Sequence, residues 1–310
     1  MPQNHILLSS VFIQLSSPHP HSFNSTPVPS SPHLHNSTAN PPARSRFSKR
    51  PSANMHIEGK TFVVTGGSSG LGEATIRAIV QRGGKVIIFD INEERGEAIA
   101  AELAGSAFWP GPTDVAGEDS VVESIAKGVK KFGKISGVVN CGGIGMAQKI
   151  VFRNGEPQPL NIFEEVVRIN LVGTFNVCRL IAAHIIANIK DASEKEEDPG
   201  VIINVASIAY TEGQAGQTAY SASKGGVAGM TLPMARDLAG QVRVCTIAPG
   251  FFGTPMGKAV KDSNLEKHLI HPHRMGKPSE FAHLACAIIE NPMMNGEIVR
   301  IDGAVRLGKL

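Results

Sequence analysis

This sequence predicts an α/β fold: a single doubly wound parallel sheet with helices on both faces. Three observations predict it. Short apolar runs alternate with longer stretches of helical composition along the body of the chain, the pattern of a parallel sheet whose crossovers are helices. The run Thr61-Phe-Val-Val-Thr65 leads directly into a glycine-rich turn and then a helix. The following run, Val86-Ile-Ile-Phe-Asp90, ends in an acid.

In chain order, strands are expected near 61–65, 86–90, 106–109, 135–140, 200–206, 241–247 and 297–301. Helices are expected near 71–82, 93–104, 118–131, 161–189, 218–239 and 279–290, the fourth and fifth with broad apolar faces. Asp191 to Pro199 reads as a charged, solvated spacer, and no internal repeat is evident. A body of about 250 residues buries enough core for one such sheet.

The turn after the first strand is Gly66-Gly67-Ser68-Ser69-Gly70-Leu71-Gly72, a Gly-x-x-x-Gly-x-Gly spacing. Glycines admit positive φ and let the backbone approach a pyrophosphate closely. The helix that follows offers free N–H groups and a partial positive charge. Strand, glycine turn and helix together make a dinucleotide site credible. Asp90 lies 18 residues past Gly72, near the offset of a carboxylate that accepts from an adenosine ribose. Its neighbours Ile91 and Asn92, and Ser69 in the turn, are not basic. Nothing there receives a 2′-phosphate, so the expected coenzyme is NAD rather than NADP.

Tyr220-Ser-Ala-Ser-Lys224 supplies the chemistry. A spacing of four puts Tyr220 and Lys224 on one helical face, about 5–6 Å apart at Cβ. A phenol with a pKa of about 10 is a poor base at neutral pH. An ammonium beside it is expected to favour the phenolate. Bringing the phenol to near 7 takes about 4 kcal/mol of differential stabilisation, to which an oxidised nicotinamide would contribute. Ser207, upstream on a loop, is placed to hydrogen-bond the same substrate oxygen.

Together these motifs resemble the short-chain dehydrogenase/reductase family, whose fold is a Rossmann sheet. The likeness runs from about His56 to the C-terminus, and within the family it is to the branch that oxidises 3-hydroxyacyl-CoA. The resemblance implies a catalytic set of Ser207, Tyr220, Lys224 and Asn170, with Asn170 holding a water in the proton relay. It implies that Asp114 and Val115 meet the adenine. Asn140, Cys141 and Gly142 match the segment that supports the sheet and the coenzyme. Cys141 and Gly142 depart from the family's Asn and Ala, and Gly142 is expected to loosen that segment. Pro249, Gly250, Phe252 and Thr254 match the turn that receives the nicotinamide carboxamide. Gln214 and Gln217 are expected at the substrate. The stretch from Lys258 to Arg274 is expected to form the substrate lid.

The implied reaction is NAD-dependent oxidation of short or branched 3-hydroxyacyl-CoA, in a homotetramer paired through the two apolar-faced helices. Lys149, Arg153, Lys258, Lys261 and Lys267 stand either as attractors of CoA phosphates or as a solvated rim. A hydroxysteroid or secondary-alcohol dehydrogenase is the alternative, since the same triad serves any carbinol. From another class comes a non-catalytic scaffold in a mitochondrial tRNA-processing complex.

Composition is consistent with one enzyme domain. Of 310 residues 42% are apolar, without an unbroken run of 18 to span a bilayer. Cys141, Cys178, Cys245 and Cys286 are scattered, which fits free thiols in a reducing compartment. Five of the eleven histidines precede residue 36, and no histidine pair sits with an acid in ligand spacing, so no metal is expected. Residues 1–55 are rich in Ser, Pro, His and Asn and lack acids; the first is Glu58. Such a segment cannot pack a core. Its four cations, Arg44, Arg46, Lys49 and Arg50, account for the net +3, since the remaining 26 basic residues face 27 acidic ones. A nucleic-acid surface is therefore not expected, and neither is a membrane partner. The leader fits a mitochondrial presequence or an extension ahead of a start at Met55. Its apolar stretch from Ile6 to Leu15 lacks the preceding charge of a secretory signal. The final Gly308-Lys309-Leu310 is one substitution from a peroxisomal address. The mitochondrial matrix is the expected compartment, with peroxisome and cytoplasm as alternatives.

Overall fold

The computed structural model describes residues 56–189, 198–258 and 268–307. The leader, most of the charged spacer, Lys261, Lys267, most of the expected lid and the last three residues lie outside them.

Seven parallel strands form one sheet: β1 (Thr61–Thr65), β2 (Lys85–Phe89), β3 (Ala107–Phe108), β4 (Ile135–Asn140), β5 (Val201–Val205), β6 (Arg243–Pro249) and β7 (Ile298–Ile301), in the order β3-β2-β1-β4-β5-β6-β7. Every expected strand is present; β3 keeps only two residues. Because successive side chains point to opposite faces, Phe62 and Val64 enter one core while Val63 enters the other. The first core is closed by helices α1 (Gly70–Gln81), α2 (Glu93–Glu102) and, later in the chain, α9 (Pro278–Glu290), through Ile76, Ile79, Ile99 and Phe281. The second is closed by α3 (Glu118–Phe132), α5 (Thr174–Ala187) and α7 (Thr218–Asp237), through Val121, Val177, Ile181 and Ala235. Burial on both faces is why the strands read as unbroken apolar runs.

The helix expected over 161–189 is not uniform. It begins as α4 (Leu160–Val167), passes through a π-helical turn (Arg168–Gly173) and continues as α5. The wider turn carries Asn170, which is fully buried; turns of this kind concentrate at functional sites. Leu160–Ala187 is long and apolar enough to cross a membrane, with a window of mean hydropathy 1.5, but half of that window is buried inside this fold. Two single-turn helices, α6 (Ala209–Glu212) and α8 (Pro255–Lys258), were not expected.

Connections leave β1 toward β2 on one side and β4 toward β5 on the other, so the strand order reverses between β1 and β4. Open α/β sheets bind ligands outside the carboxyl ends of the strands at such a reversal.

Candidate active site

The loops after β1 and β4 meet at the reversal. Gly66 has φ 61°, and a Cβ there would lie 2.8 Å from the Gly142 backbone. A Cβ on Gly72 would strike the Gly66 carbonyl. Only glycine permits these approaches. Gly142 donates its N–H to Thr65 Oγ1 at 2.9 Å. Gly142, expected to loosen the segment, is tied to β1 by this bond. Gly70 faces Thr254, whose side chain would be 3.2 Å from an added Cβ, so the glycine turn and the 249–254 turn form opposite walls. Ser69 at the N-cap of α1 makes no side-chain capping bond, which leaves first-turn N–H groups for an anion. Leu71 packs its side chain against the core. The donor set, the cradle and the carboxylate fit a dinucleotide.

Asp90 sits at the end of β2, where its carboxylate accepts from Ser68 N–H at 2.9 Å and Asn92 N–H at 3.0 Å. It thereby braces the glycine turn. The nearby cation Arg95 is committed to Glu73 at 2.9 Å. Asp114 accepts from Ala116 N–H at 2.9 Å and pairs with Arg168 at 3.2 Å. The Val115 carbonyl accepts from Asn176 Nδ2 at 2.9 Å.

Three residues expected at the coenzyme face elsewhere with their side chains. Asn140 is buried and donates to Asn204 Oδ1 at 2.9 Å and Cys178 Sγ at 3.3 Å, tying neighbouring strands together. Phe252 is buried edge-to-face on Phe281, with ring centroids 6.3 Å apart. Cys141 packs against the first core, and burial pushes its thiol up to about 12, an inert group at neutral pH.

Helix α7 presents Tyr220 and Lys224 on one face, with Lys224 Nζ 5.8 Å from the Tyr220 ring centre. Ser207, just past β5, accepts from Ala209 N–H at 3.2 Å, and its hydroxyl favours the Tyr220 phenolate. Lys224 is 5% exposed and donates to the Val205 carbonyl at 2.8 Å. Burial lowers its ammonium to about 8. Burial also raises the Tyr220 phenol, against the opposing pull of the Ser207 hydrogen bond. This corrects the expectation that the lysine depresses the phenol: among protein groups alone, desolvation dominates at both residues.

The Asn170 side chain binds protein groups. Its Oδ1 accepts from Ile144 N–H at 2.8 Å, and its Nδ2 donates to the Ile144 carbonyl at 2.9 Å and Ser223 Oγ at 3.1 Å. It pins the loop after β4 beside Lys224: a Cβ on Gly143 would be 2.9 Å from Asn170 Oδ1 and 3.5 Å from Lys224 Nζ. Gln217 likewise turns its amide oxygen to Gln214 N–H at 2.9 Å, shaping the loop between α6 and α7. Gln214 is half-buried on that loop. Thr65, Ser223 and Arg168 were missed by sequence reasoning, since a hydroxyl or guanidinium carries no spacing signal of its own. Ser223, adjacent to Lys224, was the most findable.

A cleft of about 260 Å³ opens between Phe251, Leu269, Pro272, Arg274, Asp302 and Val305. Ser207, Tyr220 and Lys224 do not line this cleft.

The sequence pattern of the family described as short chain dehydrogenase matches residues 60–265. This chain belongs to the short-chain dehydrogenase family. It is 45% identical over 256 residues to 3-hydroxyacyl-CoA dehydrogenase type-2 of Homo sapiens, spanning 81% of this chain and 97% of that one. It is 45% identical over 258 residues to the Drosophila melanogaster protein of the same name, spanning 81% and 99%. Among solved structures it resembles 3-hydroxyacyl-CoA dehydrogenase type-2 from Mycobacterium avium, with TM-score 0.73, 41% identity and coverage of 80% and 96%. A 3-ketoacyl-(acyl-carrier-protein) reductase from Brucella melitensis, complexed with NADH, matches with TM-score 0.69, 27% identity and coverage of 80% and 98%. The short-chain dehydrogenase described here is accordingly an oxidoreductase.

Proposed function

We propose that this enzyme oxidises short or branched 3-hydroxyacyl-CoA to 3-ketoacyl-CoA with NAD. The observation that carries the reading is that Ser207, Tyr220 and Lys224 gather at the carboxyl end of the sheet, the end that also carries the glycine turn and Asp90. The name shared by relatives 43–45% identical to this chain supports the substrate class. The choice of NAD rests on Asp90, which accepts from a ribose 2′-hydroxyl and repels a 2′-phosphate. Exposed Lys149 and Arg153 on the loop after β4 suit the CoA phosphates.

Bound NAD supplies the hydride acceptor. Gly66, Ser69, Gly70, Leu71 and Gly72 hold its pyrophosphate, Asp114 and Val115 flank the adenine, and Pro249, Gly250 and Thr254 receive the carboxamide. Tyr220 takes the proton from the substrate hydroxyl. Ser207 orients that hydroxyl and donates to the oxygen as it becomes a carbonyl. Lys224, still largely protonated at neutral pH, holds the nicotinamide ribose. Asn170 keeps the Ile144 loop in place beside both.

Exposed Val172 and Phe175 on the π-helical turn and α5, with Leu232 on α7, support assembly as a homotetramer through these helices. The acid-free, serine-rich leader supports a mitochondrial matrix location. Steady-state rates on 3-hydroxybutyryl-CoA, its 2-methyl analogue and a 17β-hydroxysteroid, each with NAD and NADP, test the proposal. Both acyl-CoA substrates are expected to win with NAD. A preference for the steroid, or for NADP, overturns it.

A further inference from the structure

Helix α6 starts two residues after Ser207 and is a single turn, too short to hold itself. It packs on α7, where Tyr210 meets Val227 and Ala228, and is tied at its end to the C-terminal segment 300–307. Glu212, the last residue of α6, accepts from Leu307 N–H at 3.0 Å and pairs with Arg300 at 2.8 Å. Arg300 also pairs with Asp302 at 2.6 Å. Asp302 Oδ1 caps the turn after β7 by accepting from Ala304 N–H at 3.0 Å. Exposures of 22%, 18% and 9% for Arg300, Glu212 and Asp302 set this network apart from solvated surface pairs, which contribute little. Burial works to raise the Glu212 carboxyl, but Leu307 N–H, Arg300 and Arg306 hold it below its ordinary value. Beneath the ions, Ile208 packs with Leu269 and Val305.

The same segment touches the turn expected to receive the coenzyme. Gly250 donates to the Ile301 carbonyl at 3.0 Å, and a Cβ on Gly250 would lie 2.8 Å from Asp302 Cβ. Upstream of α6 the sheet holds the backbone: Ala206 N–H donates to Ile247 at 2.8 Å and Ile208 N–H to Pro249 at 3.0 Å. Downstream, the Glu212 carboxylate joins α6 to the C-terminal segment.

We propose that Arg300, Glu212 and Asp302 form a positioning network that sets Ser207 against the 249–250 turn through helix α6. The proposal rests on the reading of Ser207 as the substrate-orienting hydroxyl. None of the three touches the reacting atoms; they act through Ser207, where small displacements are costly in rate.

The test compares wild type, Glu212→Gln, Ser207→Ala and the double variant, with 3-hydroxybutyryl-CoA and NAD. Glu212→Gln is expected to lower kcat about tenfold while substrate KM moves less than about twofold. The double variant is expected to be no slower than Ser207→Ala alone, because the network has nothing left to position. Unchanged kcat in Glu212→Gln, or losses that multiply in the double variant, overturn the proposal. Should Glu212→Gln not fold, Arg300→Lys is judged by the same two criteria, with a kcat loss of about threefold. A Ser207→Ala enzyme as fast as wild type removes the underlying reading and the network with it; failure at Glu212 alone removes only the network.

Discussion

Two cations are buried at opposite ends of the same strand, and the protein treats them differently. Arg243 lies opposite Val201, where β5 begins; Lys224 bonds Val205, where β5 ends. Arg243, 8% exposed, has a full set of partners. It binds the buried Asp198 carboxylate through Nε at 2.9 Å and Nη2 at 2.7 Å, and donates to the carbonyls of Ile288, Ile289 and Met294. It closes the bottom of the sheet and clamps the end of α9. Lys224 is as deeply buried, but among the described residues it has one carbonyl bond and no carboxylate partner. A satisfied buried charge is architecture. An under-partnered one, held at a substantial desolvation cost, marks the place where a ligand is expected to complete the set.

Four changes break or sharpen that contrast. Tyr220→Phe is expected to cut acyl-CoA oxidation about 10³-fold with the melting temperature unmoved; near-normal turnover would dissolve the functional end of the comparison. Arg243→Met is expected to cost about 3–5 kcal/mol in urea unfolding, because Asp198 is left buried and unpaired. Replacing Asp198 with Asn in the same chain should recover much of that loss, and at a permissive temperature KM for NAD should hold steady.

Lys224→Met is expected to do the opposite to stability while abolishing efficient turnover. The folded lysine value lies near 8, below the ordinary 10.5, so the native state binds fewer protons than the unfolded chain between those values. The penalty is then fully present below pH 8 and fades as pH rises toward 10.5. Without coenzyme, the variant should exceed wild type by about 3 kcal/mol at pH 7, with the gap shrinking at pH 9.5. Equal stabilities at pH 7 would show that the ammonium is better satisfied than its surroundings indicate. The smallest effect belongs to Gly142→Ala. Its methyl would meet Thr65 Oγ1 at 3.0 Å, and a melting shift equivalent to under about 1 kcal/mol is expected.

Much of this was legible from residue order. The glycine turn, Asp90, and the Tyr220–Lys224 spacing depend on local periodicity and on chain direction at the strand ends, which a sequence displays. The alternation of elements predicted all seven strands, because parallel strands buried on both faces leave continuous apolar runs. The side-chain assignments were less legible. Asn140, Phe252 and Gln217 were expected at ligands, yet Asn140 bonds Asn204, 64 positions away, Phe252 stacks on Phe281, and Gln217 folds back onto its own loop. That a π-helical turn aims the Asn170 amide at Ile144 was equally illegible in the sequence.

The sequence by itself determined the fold class, the glycine turn after β1 and the residue types that can perform the chemistry. These follow from spacing along a backbone with only a few regular periods. The tertiary structure alone decided which charge is satisfied and which is not. Arg243 and Asp198 are 45 residues apart, and nothing in either neighbourhood announces the other. It also decided that Glu212 and Leu307, 95 residues apart, close on each other beside Ser207. Desolvation and charge pairing act through space, so their balance exists only once distant segments are brought together.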